Sequence, residues 1–168
     1  MTTKTASVRL DGDGLRLVGT AGSGHVVVLD NSEGDSGARP TEFLLLAQAG
    51  CTAMDVASIL RKKRQAFHRY EVRVAGEQRE EHPHSFARIR IVHLVEGSVE
   101  VEAVRRAIEL SATRYCSVTG NLASGVAEVR HAYVVRDADG EEHYGEVVVT
   151  GPGEPVEELG RRSRTPEV

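Results

Sequence analysis

The sequence predicts an α+β protein in which antiparallel sheets pack on a long, buried central helix. Three patterns support this fold class: short segments of alternating apolar and polar residues, a segment at 41–65 with neither proline nor a turn cluster, and an amphipathic segment after residue 100. The chain has 168 residues, of which 40% are hydrophobic and 27% charged, as is ordinary for one globular domain. We expect a single domain over residues 1–150. Residues 151–168, which contain three of the five prolines, are expected to form a disordered C-terminal tail.

The first predicted elements are three strands of an antiparallel meander. Ala6, Val8 and Leu10 alternate with polar residues, which is typical of a half-buried strand. The segment 15–20 resumes this pattern, and 26–29 is a short apolar run. Sequences rich in Gly, Asp and Ser separate the three segments and predict turns.

A long helix is predicted from Pro40, a residue that suits the first turn of a helix. From Phe43 to Met54 this helix is apolar or small nearly all round, which indicates burial on every side. One sheet covers only one side of such a helix, so we expect a homodimer in which the second subunit forms the other wall. The basic run Arg61–Arg64 complements the negative end of the helix dipole, and this interpretation is favoured over nucleic-acid binding.

The rest of the chain predicts a hairpin, a helix and a second hairpin. Ser98 is the expected N-cap of the helix, with Glu100 and Glu102 in its first turn. Asp137–Gly140 has the composition of a hairpin turn. The predicted segments are 70–74, 89–95, 101–116, 126–136 and 143–149.

The chain contains two cysteines, Cys51 and Cys116, without a Cys-x-x-Cys motif. A domain of this size does not need a disulfide to fold, and no apolar N-terminal segment indicates secretion. We therefore expect a cytoplasmic protein, with neither a membrane nor, at a net charge of −4, a nucleic acid as its partner. Cys51 lies among small residues of the long helix. Two interpretations of it remain open: a buried residue that only packs, or a reactive thiol. Cys116 precedes Ser117, a predicted N-cap, and a helix start favours the thiolate form.

Two carboxylates lie near Cys51 in the sequence. Asp55 is four residues on, so it shares a helix face with Cys51 and would raise the pKa of its thiol. Glu42 is nine residues before, which in one straight helix places it about 180° round and ~13.5 Å away along the axis. Glu42 would reach a thiol only if the helix begins after it, or at the site of a neighbouring chain.

No metal site or cofactor is predicted. His82 and His84 lack a clear third ligand, and the Asp-x-Asp-Gly segments lack the remaining ligands of a calcium loop. His93 and His131 fall among apolar strand positions and are interpreted as hydrogen-bonded structural histidines.

Three segments carry a resemblance to a known family: GARPTEFLLLAQAGCTAMDV (37–56), ILRKKR (59–64) and RYCSV (114–118). Residues 37–56 resemble the central-helix motif of the OsmC/Ohr family, the osmotically inducible and organic hydroperoxide resistance proteins. Residues 59–64 resemble the helix end of the YhfA-like branch, and residues 114–118 resemble the family's second-cysteine motif.

The resemblance implies an intertwined α+β homodimer with active sites at the subunit interface, and a thiol-dependent peroxidase activity. Cys51 would attack a peroxide, Cys116 would resolve the product to a disulfide, and a small dithiol or thiol protein would reduce it. Glu42 would be the helper carboxylate. Arg9, Arg16 and Arg39 are all available as the helper arginine, and Arg39 is preferred as the nearest to the motif.

The sequence departs from the peroxidase branches in the residue after each cysteine. Thr52 follows the first cysteine where those branches have Phe, and Ser117 follows the second where they have Pro. The alternatives are therefore a non-catalytic dimer that binds an apolar small molecule in its interface pocket, or a redox sensor.

Overall fold

The computed structural model describes residues 2–124 and 128–150, and the predicted tail at 151–168 lies outside them. The described residues divide into two compact units, one up to Leu44 and one from Leu45 onward, and helix α1 begins in the first and continues in the second. The elements are β1 (Ala6–Leu10), β2 (Leu17–Ala21), β3 (Val26–Leu29), α1 (Pro40–Lys62), β4 (Ala66–Gln78), β5 (Phe86–Ser98), α2 (Val101–Leu110), α3 (Ser117–Ala123), β6 (Glu128–Arg136) and β7 (Glu142–Thr150).

The first unit contains the predicted meander. Strand β2 pairs antiparallel with β1 on one side and with β3 on the other. The alternation in β1 predicts a buried face, but all five of its residues are exposed. Strand β1 is an edge of this sheet, and its apolar Val8 is 62% exposed.

The second unit contains a four-stranded sheet in the order β4-β5-β6-β7. The β4–β5 and β6–β7 pairs are antiparallel, as predicted for hairpins, but β5 and β6 run parallel. The sheet is therefore mixed rather than antiparallel throughout. The reason is the connection: the chain between β5 and β6 includes α2 and α3, and such a crossover joins parallel strands.

The main core of the second unit lies where α1 and α2 pack on this sheet. Burying one aliphatic side chain of this size stabilises a fold by roughly 1.5–3 kcal/mol, so this cluster fixes the two helices on the sheet. Its fully buried members are Val56, Leu60, Val104, Ala107, Ile108 and Val135.

Helix α1 has two unlike faces rather than one continuous buried surface. Its buried residues recur every fourth position and are Gln48, Thr52, Val56 and Leu60. On another face, Leu46 is 58% exposed and Met54 is 71% exposed. In the single chain, α1 is therefore covered along one stripe only.

The start of α2 differs from the prediction. Ser98 is the last residue of β5, and Glu100 is the N-cap residue, without a side-chain capping bond. The backbone N–H of Glu100 itself is bonded by Gln65, whose Oε1 accepts it at 2.7 Å.

Candidate functional site

The structure brings the two cysteines together although 65 positions separate them. Cys51 lies half-buried in α1, and Cys116 is buried immediately before α3. The two sulfurs and a carboxylate oxygen of Asp55 all lie within 4.8 Å of one another. A disulfide needs the sulfurs at about 2 Å, so an approach of less than about 3 Å separates this pair from a bond.

Cys116 is itself the N-cap residue of α3, a role the sequence assigns to Ser117. Its backbone is extended, and its Sγ accepts the N–H of Thr119 at 3.4 Å. The side-chain amide of Gln48 also points its Nε2 at this sulfur, at 3.8 Å, and donates to Thr119 Oγ1 at 2.8 Å. Burial raises the pKa of the Cys116 thiol, while the hydrogen bonds from Thr119 oppose that rise.

A turn of π-helix, Ser111–Tyr115, ends α2 and sets the position of Cys116. The N–H of Cys116 donates to the carbonyl of Ser111 at 2.8 Å, which closes this wide turn. Wide turns of this kind recur near functional sites because they displace the residues that follow. The predicted continuous helix from 101 to 116 is thus interrupted just before the second thiol.

Ser111 connects α2 to α1 through its hydroxyl group. It lies 3.0 Å from Thr52 Oγ1 and donates to Asp55 Oδ2, also at 3.0 Å. Both Ser111 and Thr52 are fully buried, so the carboxylate of Asp55 is held in a defined position beside Cys51. The hydroxyl of Ser117 lies 4.0 Å from Cys51 Sγ.

A buried polar stack lies in the sheet of the same unit. Tyr70 Oη is 2.8 Å from Nδ1 of His93, and the His93 ring stacks on His131 at 6.0 Å between centroids. Burial raises the pKa of Tyr70, and the carboxylate of Asp55 adds to this effect. Burial lowers the pKa of His93, with His131 adding to it, and lowers the pKa of His131 to about 4.

The prediction that both histidines are fully hydrogen-bonded is wrong. In the described part of the chain, His93 Nε2 and both ring nitrogens of His131 are buried without a hydrogen-bond partner. Apolar residues of strands β5 and β6 surround these positions, so burial holds both rings in the neutral form.

The predicted helper residues lie in the first unit, where they make local contacts. Glu42 Oε2 accepts the backbone N–H of Arg39 at 2.7 Å, the reciprocal half of a helix capping box at the start of α1. The guanidinium of Arg39 pairs with Asp35 at 2.8 Å and donates to the carbonyl of Gly37. The other two candidates, Arg9 and Arg16, form ion pairs with Asp11.

Two groups among the described residues have the spacing of metal ligands. One is the trio of Cys51, Asp55 and Cys116. The other is Asp137, Glu141 and His143 at the β6–β7 turn. In this second group the Asp137 carboxylate is already engaged in hydrogen bonds within the turn. It lies 3.0 Å from His143 Nε2 and accepts the N–H of Glu141 at 2.9 Å.

Sequence reasoning assigned no site role to four polar residues that shape the thiol site: Gln48, Thr52, Ser111 and Thr119. The spacing of Gln48 and Thr52 is itself a signal, since the two continue the i, i+4 stripe of Val56 and Leu60 on α1. Nothing local marks Ser111, because its role depends on the packing of α2 against α1.

The fold and the site together define a class of protein: an α+β protein in which two distant cysteines and a carboxylate meet where α1 faces the start of α3. The OsmC-like protein family model matches residues 32–130. Protein YhfA of Escherichia coli K12 is 41% identical over 124 residues, which cover 73% of this chain and 92% of YhfA. The chain belongs to the OsmC-like family, as its motifs predict.

Solved structures agree with this assignment. A protein from Aquifex aeolicus VF5 has a TM-score of 0.73 at 27% identity, over 82% of this chain and 98% of that one. An organic hydroperoxide resistance protein from Elizabethkingia anophelis has the same fold, with a TM-score of 0.57 at 15% identity over 80% of this chain and 96% of that one. Helix α1 is long and apolar enough to cross a membrane, with a mean hydropathy of 1.6, but an OsmC-like fold around it indicates a soluble protein.

Proposed function

We propose that the protein is a thiol-dependent peroxidase that reduces organic hydroperoxides or hydrogen peroxide through a two-cysteine mechanism, in defence against oxidative stress. The observation that carries this proposal is the approach of the Cys51 and Cys116 sulfurs to within 4.8 Å. Proteins of this fold from Elizabethkingia anophelis and Legionella pneumophila are named organic hydroperoxide resistance proteins, which supports the same chemistry here.

Cys51 is the attacking thiol, since it is the more exposed of the pair. Its thiolate attacks one oxygen of the peroxide, and the O–O bond breaks. The second oxygen takes a proton and leaves as an alcohol, or as water from hydrogen peroxide. Cys51 is oxidised to a sulfenic acid in this step.

Cys116 is the resolving thiol. Its burial favours the protonated form, so the Cys116 thiol stays unreactive toward the peroxide and lies beside Cys51 when the sulfenic acid forms. The sulfur of Cys116 then attacks the sulfur of Cys51, and the hydroxyl of the sulfenic acid leaves with the thiol proton as water. A small dithiol or a thiol protein reduces the resulting disulfide by exchange.

Arg39 and Glu42 are the proposed helpers of Cys51, acting at the site of a second chain, because α1 begins at Pro40 and so already contains Glu42. The guanidinium would favour the thiolate by its charge, and the carboxylate would orient the guanidinium. The capping-box bond of Glu42 and the Asp35 pair of Arg39 would then be exchanged for contacts at the thiol when the assembly forms.

A homodimer is part of this proposal. The exposed face of α1 carries Leu46 and Met54, with the side-chain-free Gly50 between them at helical spacing. Exposed apolar residues of this size on a central helix favour a second subunit as the other wall. We place the dimer in the cytoplasm, where reductants keep both thiols available.

The test is turnover of cumene hydroperoxide with a dithiol reductant. Cys51→Ser should reduce peroxide consumption to the uncatalysed background, and Cys116→Ser should leave a sulfenic acid that a dimedone reagent traps. Ser23→Ala, at an exposed serine of the first unit, is the control and should retain turnover. Turnover that survives Cys51→Ser, or a fully reduced wild type that consumes no peroxide, would overturn the proposal.

One observation favours a second candidate, a non-catalytic dimer that binds an apolar small molecule. A groove of about 480 Å³ runs along α1, lined by apolar Ala53, Met54 and Ala57 and by cationic Arg61 and Lys62. Native mass spectrometry that finds a retained ligand, together with absent peroxide turnover, would establish this candidate. Disulfide formation without turnover would instead indicate a redox sensor.

A further inference from the structure

We propose that the reduced protein binds a thiophilic divalent cation, of which Zn²⁺ is the natural probe, through Cys51, Asp55 and Cys116. This proposal does not depend on the peroxidase activity, because it concerns the same thiols before any peroxide reacts. Its starting point is that one ligand atom from each of the three residues lies within 4.8 Å of the other two.

The spacing fits a tetrahedral ion. At a Zn–S distance of about 2.3 Å and a Zn–O distance of about 2.0–2.2 Å, neighbouring ligand atoms are roughly 3.5–3.8 Å apart. The three atoms are therefore within an ångström or so of a coordinating arrangement. Cys51 and Asp55 are one helical turn apart on α1, and Cys116 comes from a second element, so the ion would join α1 to the start of α3.

The donor set selects the kind of cation. Two thiolates and one carboxylate favour zinc or cadmium, whereas magnesium and calcium require a set made of oxygen ligands. Three protein ligands leave a fourth position for water. Catalytic zinc sites have the same open geometry, whereas structural sites are closed by four protein ligands.

The surroundings of the trio already hold the ligands in place. Ser111 donates to Asp55 Oδ2 at 3.0 Å, and the N–H of Thr119 donates to Cys116 Sγ at 3.4 Å. Such outer hydrogen bonds orient ligands and tune their basicity. The Oε1 of Gln48 is buried without a hydrogen-bond partner in the described residues, on the same amide whose Nε2 is 3.8 Å from the Cys116 sulfur.

Charge also favours a cation at this position. The donors that the structure brings to the two sulfurs are neutral: a backbone N–H, a side-chain amide and a hydroxyl. A divalent ion would neutralise two thiolates and the carboxylate to a net charge of −1. Binding displaces the thiol protons into solvent, so no oxidant or reductant is needed.

The ion and the disulfide exclude each other. A bridge between Cys51 and Cys116 removes both thiolates, and a bound ion occupies the electron pairs with which Cys51 would attack a peroxide. We expect bound zinc to protect both thiols from peroxide, and oxidation to release the ion.

The test is an anaerobic titration of the reduced protein with Zn²⁺ in competition with a chromogenic chelator. We expect one ion per chain, and with Cd²⁺ the ultraviolet charge-transfer band of a cadmium thiolate. Cys51→Ser and Cys116→Ser should each abolish that stoichiometric binding. Asp55→Asn should weaken it at least roughly tenfold, as ligand-site changes commonly do.

Asp137→Asn is the matched control, because it removes a carboxylate from the sulfur-free trio of the same spacing. It should leave the Zn²⁺ affinity unchanged. The proposal is overturned if either cysteine variant or the disulfide form binds Zn²⁺ as well as the reduced wild type, or if the reduced wild type binds none. Peroxide turnover measured with a chelator present reports the proposed peroxidase separately, so the two failures are distinguishable.

Discussion

Two buried polar regions of the second unit differ in how many of their polar side-chain atoms form hydrogen bonds. Where α1 meets the start of α3, hydroxyl and amide groups bond to one another, as in the Thr52–Ser111 pair and the Gln48–Thr119 bond. In the sheet, His93 and His131 stack with only the Tyr70 contact to one of their ring nitrogens in the described residues. The Thr52–Ser111 and Gln48–Thr119 bonds join neutral groups that mild acid does not ionise, whereas the two histidines stay neutral only because burial disfavours the imidazolium.

The largest expected effect is the pH dependence of stability from the histidine region. The pKa of folded His131 is about 4, below the ordinary value of 6.5, so the unfolded chain binds more protons between these values. The free energy of unfolding should therefore fall as the pH falls from 7 to 4, by on the order of 3 kcal/mol from His131. Urea unfolding at several pH values measures this.

The variant His131→Leu should make that dependence shallower, because it removes the proton uptake of His131 on unfolding and leaves that of His93. His25→Gln, at an exposed histidine of the first unit, is the control and should leave the slope unchanged. An unaltered acid slope in His131→Leu would show that other groups destabilise the fold at low pH.

A smaller effect is expected from the amide that bridges the helices. Gln48→Leu removes the bond to Thr119 and the contact with the Cys116 sulfur, and it leaves the Thr119 hydroxyl without its donor. The free energy of unfolding should fall by about 2 kcal/mol, with little dependence on pH. Gln78→Leu is a matched exposed control, since its amide donates to the carbonyl of His84 at an exposed turn. An equal decrease in the free energy of unfolding in the two variants would show that the buried amide stabilises the fold no more than an exposed one.

The smallest effect is expected at Ser111. Ser111→Ala removes one hydroxyl from between Thr52 and Asp55, and should lower the free energy of unfolding by about 1 kcal/mol. Freed from that hydroxyl, the Asp55 carboxylate would be less well oriented toward Cys51. Ser58→Ala on the exposed side of α1 should be near neutral. Thermal unfolding of both variants decides whether the hydroxyl stabilises the contact.

The order of helices and strands is predictable from the sequence because the pattern that marks each element lies within that element. Alternation marks β4 and β5, and the apolar segment after Pro40 marks α1, with its end misplaced by three residues at most. Local patterns do not reveal the parallel pairing of β5 with β6, since either direction buries the same alternating residues. The burial of α1 along one stripe likewise depends on which elements pack against it.

At the site too, contacts within one helix are predictable from the sequence, whereas contacts between distant segments are not. The shared face of Cys51 and Asp55 follows from helical spacing, and the structure keeps that carboxylate beside the thiol. The meeting of Cys51 with Cys116 is long-range, and it enters the sequence analysis only through family resemblance. The cap at α3 is misassigned by one residue, because the π-helical turn shifts Cys116 itself into the capping position.

The measurement that most directly tests the central claim is peptide mapping of the protein after one equivalent of peroxide, under non-reducing conditions. If Cys51 and Cys116 form one redox pair, each chain should lose the mass of two hydrogen atoms and yield a single bridge between these residues within the chain. A Cys51 that accumulates as sulfenic or sulfinic acid while Cys116 stays a free thiol would contradict the account.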